Sequence, residues 1–168
     1  ANLIALLLQT TGADIQPGAM KPQDKIRFYQ NRTFVSKNKI ALKSGRPWVA
    51  LVDHDTGDRK GNIDLLNLLC SSAKSEGMDC VAILSAWGKS STQGLKSLLG
   101  FAKQAPLAGI ISLQDFVIGG GGGREETTEV LKQLNVPVLK GIRLTDRSRE
   151  QWRLSEDGLP WNSVHYRV

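Results

Sequence analysis

From Trp48 onward the chain alternates between two textures. Short runs are apolar throughout, and the stretches between them carry apolar residues every three or four positions. Trp48-Val49-Ala50-Leu51-Val52, Cys80-Val81-Ala82-Ile83-Leu84, Leu107 to Leu113 and Val136 to Ile142 are the runs. Unbroken apolar character suits strands covered on both faces. Between them, Asn62 to Glu76 (Leu65, Leu66, Leu69, Ala73), Gln93 to Gln104 (Leu95, Leu98, Leu99, Ala102) and Arg124 to Leu134 (Val130, Leu131, Leu134) have helical spacing. Asn62 is placed to cap the first helix, with Asp64 near its positive end and Gly77 at its exit. Pro137 fits best at the very start of the fourth strand.

The cycle is β-α-β-α-β-α-β. Strands joined by helices pair in parallel, with each crossover covering a face. The expected fold is therefore α/β: a small, doubly wound parallel sheet of Rossmann-like or flavodoxin-like type, with helices on both faces. Strand order is not readable from the cycle. The expected organisation is residues 1–46 as the end of a preceding helix plus an extended connection, 47–146 as the sheet domain, and 147–168 as the truncated start of a next segment. Leu3 to Leu8 is too short to span a membrane, which takes about 20 residues, and reads as the tail of a helix begun upstream.

Charge changes this picture at one place. Of the 22 Lys and Arg among 168 residues, eight lie between Lys21 and Arg46, where Asp24 is the lone acid. The overall charge of +6 thus resides in the expected connection. Such a segment is a solvated linker, or it meets nucleic acid, an anionic ligand or an acidic partner. No zinc-finger spacing, ribonucleoprotein signature or basic heptad accompanies it. The spacing of Cys70 and Cys80 does not suggest a disulfide, though one is the alternative, and two buried free thiols are expected; buried thiols suit a reducing compartment.

Ligands of open parallel sheets sit beyond the carboxyl ends of the strands, so four loops hold the candidate chemistry. Asp53-His54-Asp55 offers metal ligands or a general base, or else is a polar loop capping the next helix. Gly88-Lys89-Ser90 has the ending of a phosphate loop, but Ile83 stands where its first glycine belongs, which excludes that reading. Trp87 either stacks a flat ligand or packs. Gly119 to Gly123, followed by Arg124, can cradle an anion or form a loose surface loop. Arg143, Arg147 and Arg149 can hold carboxylates unless Asp146 and Glu150 neutralise them. No nucleophile-base arrangement or metal-ligand spacing is present, so no catalytic residue and no metal site are assigned.

The stretch from Trp48 to Val168 resembles the large subunits of ATP-dependent tetrapyrrole metal chelatases, the CobN-type cobaltochelatase and the H subunit of magnesium chelatase. Asn62, Asp64 and Leu66 fit an N-x-D-x-L entry, and Phe116, Gly119 and Gly120 fit F-x-x-G-G with Asp115 where the family has glycine. Leu134, Val136-Pro137-Val138-Leu139, then Ser148 and Trp152, then Ser155, Gly158 and Leu159 fit L-x-V-P-V-L, S-x-x-x-W and S-x-x-G-L at the family's spacing. Tyr29-Gln30-Asn31 stands where members often carry an aromatic-His-Pro element, and the acidic P-E-x-x-G motif falls beyond Val168.

The resemblance implies a long parent enzyme, a ligase that inserts Co²⁺ or Mg²⁺ into a corrin or porphyrin for cobalamin or chlorophyll biosynthesis. AAA+ ATPase subunits holding ATP and Mg²⁺ would be its partners, and a cytoplasmic location is expected. The fragment itself would bind no cofactor and no nucleic acid, would carry no membrane segment and would be inactive alone. On this reading the candidate ring-binding residues are Asp53, His54, Asp55, Trp87, Phe116, Gly119, Gly120, Arg124, Arg143 and Arg147. The alternatives are a supporting or docking domain with no ligand of its own, and a relative that removes metal from haem.

Overall fold

The computed structural model describes residues 7–14, 25–55, 60–114, 118–141 and 148–154. Six strands form one sheet: β1 (Ile26–Gln30), β2 (Thr33–Val35), β3 (Trp48–His54), β4 (Asp79–Ser85), β5 (Leu107–Ser112) and β6 (Val138–Lys140), in the order β2-β1-β4-β3-β5-β6. The helices are α1 (Lys60–Ser75), α2 (Lys89–Ala102), α3 (Arg124–Leu134) and the short α4 (Arg149–Leu154). Strands β3 to β6 are mutually parallel. Their order is that of a flavodoxin-like doubly wound sheet, with β3 central.

The crossovers explain which face each helix covers. The chain leaves β3 toward β4 on one side, then returns past β3 to β5 and continues to β6. Right-handed crossovers in opposite directions put their helices on opposite faces. Accordingly Val49, Leu51, Ala82 and Leu84 pack with Leu66 and Ala73 of α1. Trp48, Ala50, Val52, Val81 and Ile83 pack with Leu95, Leu98 and Phe101 of α2 and Val130 of α3. Trp48 is fully buried, and its indole N–H donates to Ala105 O at 3.0 Å. Its ring meets Phe101 edge-on at 6.3 Å.

Residues 26–35 are not an extended connection. They form a hairpin that pairs with itself and, through β1, antiparallel with β4. Phe28 enters one core and Tyr29 the other, so the basic segment becomes the sheet's edge. Gln30 holds the segment that leads into β3, donating to Ala41 O at 2.8 Å and accepting from Ala41 N at 3.0 Å.

Helix boundaries move toward the amino terminus. The first helix starts at Lys60, which puts Asn62 inside its first turn and not at its cap. The second starts at Lys89 after Gly88, which caps it without a side chain. The third matches its expected bounds and ends on Asn135 in the left-handed conformation. Cys70 of α1 and Cys80 of β4 are joined as a disulfide, not kept as two thiols. No helix among the described residues is long and apolar enough to cross a membrane.

Candidate functional site

The strand order reverses at β3, so the crevice of this sheet opens between the carboxyl ends of β3 and β5. Four strand ends are knitted together there. Leu113 N donates to Val52 O at 2.8 Å, Asp55 N to Ser85 O at 3.0 Å and Gly141 N to Ser112 O at 2.8 Å. Gln114, completely buried, spans the gap: its Nε2 reaches Ser85 Oγ at 3.3 Å and Asp53 O at 3.5 Å. Lys140 Nζ donates to Gln114 O. Gln114 Oε1 has no hydrogen-bond partner among the described residues. A buried acceptor left in this way costs about 1–3 kcal/mol, so it marks a place where a donor is welcome.

Asp53 is buried at the end of β3, and one carboxylate oxygen accepts the His54 N–H at 2.7 Å. That bond ties the side chain to its own backbone. His54 is half-buried beside it. Asp55 faces Arg27 of β1 at 3.4 Å, with 5% of its side chain exposed, and Arg27 in turn lies 3.6 Å over the Phe34 ring. The three consecutive polar residues therefore diverge, as neighbours on an extended chain must. No group of three His, Cys, Asp or Glu suited to a metal occurs among the described residues.

The glycine segment after β5 is packed, not loose. Ser91 Oγ in the first turn of α2 donates to Gly88 O at 2.7 Å and accepts the Gly119 N–H at 2.7 Å. Thr127 of α3 donates to Ile118 O at 3.2 Å and pairs with Thr92 Oγ1 at 3.0 Å. Gly119 has φ +88°, and a Cβ there would lie 2.6 Å from both threonine hydroxyls. A Cβ on Gly120 would lie 3.5 Å from Gly88 Cα. The two loops thus approach backbone to backbone, and the starts of α2 and α3 are held together at one edge of the crevice. Lys96 and Glu126, 2.5 Å apart, tie the same two helices further along.

Trp87 stands one residue before this junction and is 63% exposed. Arg124 opens α3 on the surface. Of the ten residues expected to contact a ring, Asp53, His54, Asp55, Trp87, Gly119, Gly120 and Arg124 thus cluster along the carboxyl ends of β3, β4 and β5. Phe116, Arg143 and Arg147 lie outside the described residues. Ser85, Ser91, Thr92, Gln114 and Thr127 were not singled out from the sequence. Ser91, Thr92 and Thr127 look like ordinary first-turn residues, Ser85 like a polar strand end, and an isolated glutamine after a strand carries no pattern.

The family profile described as CobN/Magnesium Chelatase matches residues 2–168. No curated protein matches the chain, and no solved structure does.

Proposed function

Since the chain belongs to the CobN/Magnesium Chelatase family, we propose that it is the part of a chelatase large subunit that helps enclose a tetrapyrrole, at the carboxyl ends of β3, β4 and β5. The observation that carries the reading is Trp87, an exposed indole one residue before the close approach of Gly88 and Gly120. A flat macrocycle stacks on such a face. The ring's carboxylate or amide arms would meet Arg124 and the glycine N–H groups at the rim. The ring's metal, Co²⁺ or Mg²⁺, would be substrate, and ATP would act on partner subunits of the AAA+ type. The tied-down carboxylates Asp53 and Asp55 suit a structural role at the rim better than ligation of that metal.

A titration of the 168-residue chain with a metal-free porphyrin and with a corrin precursor, followed by absorbance and tryptophan fluorescence, tests this. Saturable binding that weakens roughly tenfold in Trp87→Ala supports the stacking face. Binding unchanged in that variant, or seen only when the chain is extended past Val168, assigns the domain a supporting role. A preference for one ring class distinguishes the corrin branch from the porphyrin branch.

A further inference from the structure

A second concavity lies away from the crevice. It is a cavity of about 560 Å³ at the opposite end of the sheet, where the β1–β2 turn, the segment before β3 and one side of α1 converge on the start of β4. Its size falls within the range of small-ligand sites, roughly 300–1,000 Å³. Arg32, Lys43, Arg46 and Lys74 all line it, and they come from three separate stretches of chain. Asp79 is the one carboxylate among its lining residues. Asp79 is already engaged: it lies 3.4 Å from Arg46 Nε and accepts the Lys43 N–H at 3.3 Å. Arg46 also donates to Gly77 O at 2.8 Å.

Three cations remain. The side chains of Arg32, Lys43 and Lys74 make no ion pair among the described residues. Like charges brought together around a concavity repel, and the arrangement is relieved by an anion seated between them. The wall behind them is ordered. Tyr29 is buried and donates through its hydroxyl to Asn67 Oδ1 at 2.9 Å, which locks the hairpin to α1. The Cys70–Cys80 disulfide, also in the lining, locks α1 to β4.

The turn adds an independent sign. Asn31 and Arg32 have φ +51° and +64°, the paired left-handed residues of a type I′ hairpin turn. Asparagine is at ease there and glycine would be at the next position, but arginine is strained. Strain of this kind, held by the surrounding fold, is often found at ligand clamps. Here it places Arg32 at the cavity's lip.

We propose that this cavity is an anion site for a small molecule carrying a diphosphate or triphosphate, gripped by Arg32, Lys43 and Lys74. One carboxylate would leave most of the charge unmatched, whereas an oligophosphate brings about three negative charges in a compact group. A guanidinium fork and two ammonium groups match its oxygens. The Asn31 and Ser71 side chains in the lining offer neutral donors.

The test is calorimetric titration of the 168-residue chain with inorganic pyrophosphate and with a nucleoside diphosphate, at low and high ionic strength. One saturable site is expected, weakening as salt rises. The double variant Arg32→Gln/Lys74→Gln should lose roughly tenfold or more in affinity while keeping its circular dichroism spectrum. Lys132→Gln, which removes a charge from α3 far along the chain, should bind as the parent does. Equal affinity for both probes means that the phosphates alone are recognised; tighter binding of the nucleoside diphosphate means that the cavity floor also contacts the base. Absence of saturable binding, or equal weakening in Lys132→Gln, overturns the proposal. Saturable binding of an acidic polypeptide but of neither phosphate probe also overturns it and makes the surface a protein-docking face.

Discussion

Ser91 Oγ accepts the Gly119 N–H at 2.7 Å, and this bond joins the first turn of α2 to the loop that follows β5. Two crossover units are thereby coupled where the strand ends open toward solvent. The same hydroxyl donates to Gly88 O, so both its donor and acceptor capacities are used. Ser91→Ala leaves a buried N–H without its partner and should destabilise the fold by about 1–2 kcal/mol. Gly119→Ala should cost more, above roughly 2 kcal/mol, because its Cβ meets two hydroxyls and its φ is unsuited to an L residue. Urea denaturation of both variants measures this. A Gly119→Ala protein as stable as the parent would mean that the junction is not packed as described.

The sheet's repeating cycle was readable because β3, β4 and β5 are apolar on both faces, and that leaves an unbroken signature in the chain. The β1–β2 hairpin was not, for a physical reason. Ile26-Arg27-Phe28-Tyr29-Gln30 mixes charge with apolar residues because the strand lies near the sheet's edge, where Arg27 can reach Asp55. The early start of α2 escaped because tertiary packing, not side-chain capping, sets it: Ser90, Ser91 and Thr92 are weak helix formers but are buried against α3 and the glycine loop. The rule about strand ends points to the same loops in the sequence and in the fold. The function of the glycines there was not, since close packing of two loops and exposure to a ligand call for the same residue.

Arg27 and Asp55 separate a structural role from a binding one. Their contact bridges β1 and the end of β3, and both side chains are largely buried. Asp55→Asn should lower stability by about 1–2 kcal/mol. A double-mutant cycle with Arg27→Gln should return a coupling of at least about 0.5 kcal/mol. If Asp55→Asn is neutral for stability yet weakens ring binding, Asp55 belongs to the ligand site and the ion pair is incidental.

The disulfide offers a test of a different kind. Cys70 and Cys80 are 10 residues apart in sequence and are brought to a Cα separation of 5.2 Å by the packing of α1 on β4. Closing a loop of that length restricts the unfolded chain by about 2–3 kcal/mol. Reduction with dithiothreitol, or Cys70→Ser with Cys80→Ser, should lower the unfolding midpoint by the corresponding amount. Thiol titration under denaturing conditions should find none before reduction and two after.

Trp87 provides the sharpest separation of stability from function. A side chain 63% exposed contributes little to the core, so Trp87→Ala should change stability by less than about 0.5 kcal/mol. Trp48, wholly buried with its N–H bonded, should behave in the opposite way: Trp48→Ala should cost about 3–5 kcal/mol. The pair therefore calibrates the experiment. If Trp87→Ala unfolds readily, the indole is part of the packing and its exposure is no sign of a ligand. If it is as stable as the parent and porphyrin or corrin no longer quenches the remaining tryptophans, the indole's purpose is recognition of the ring. Selection then has kept a large apolar face in water beside Gly88 and Gly120, where a flat partner comes to cover it.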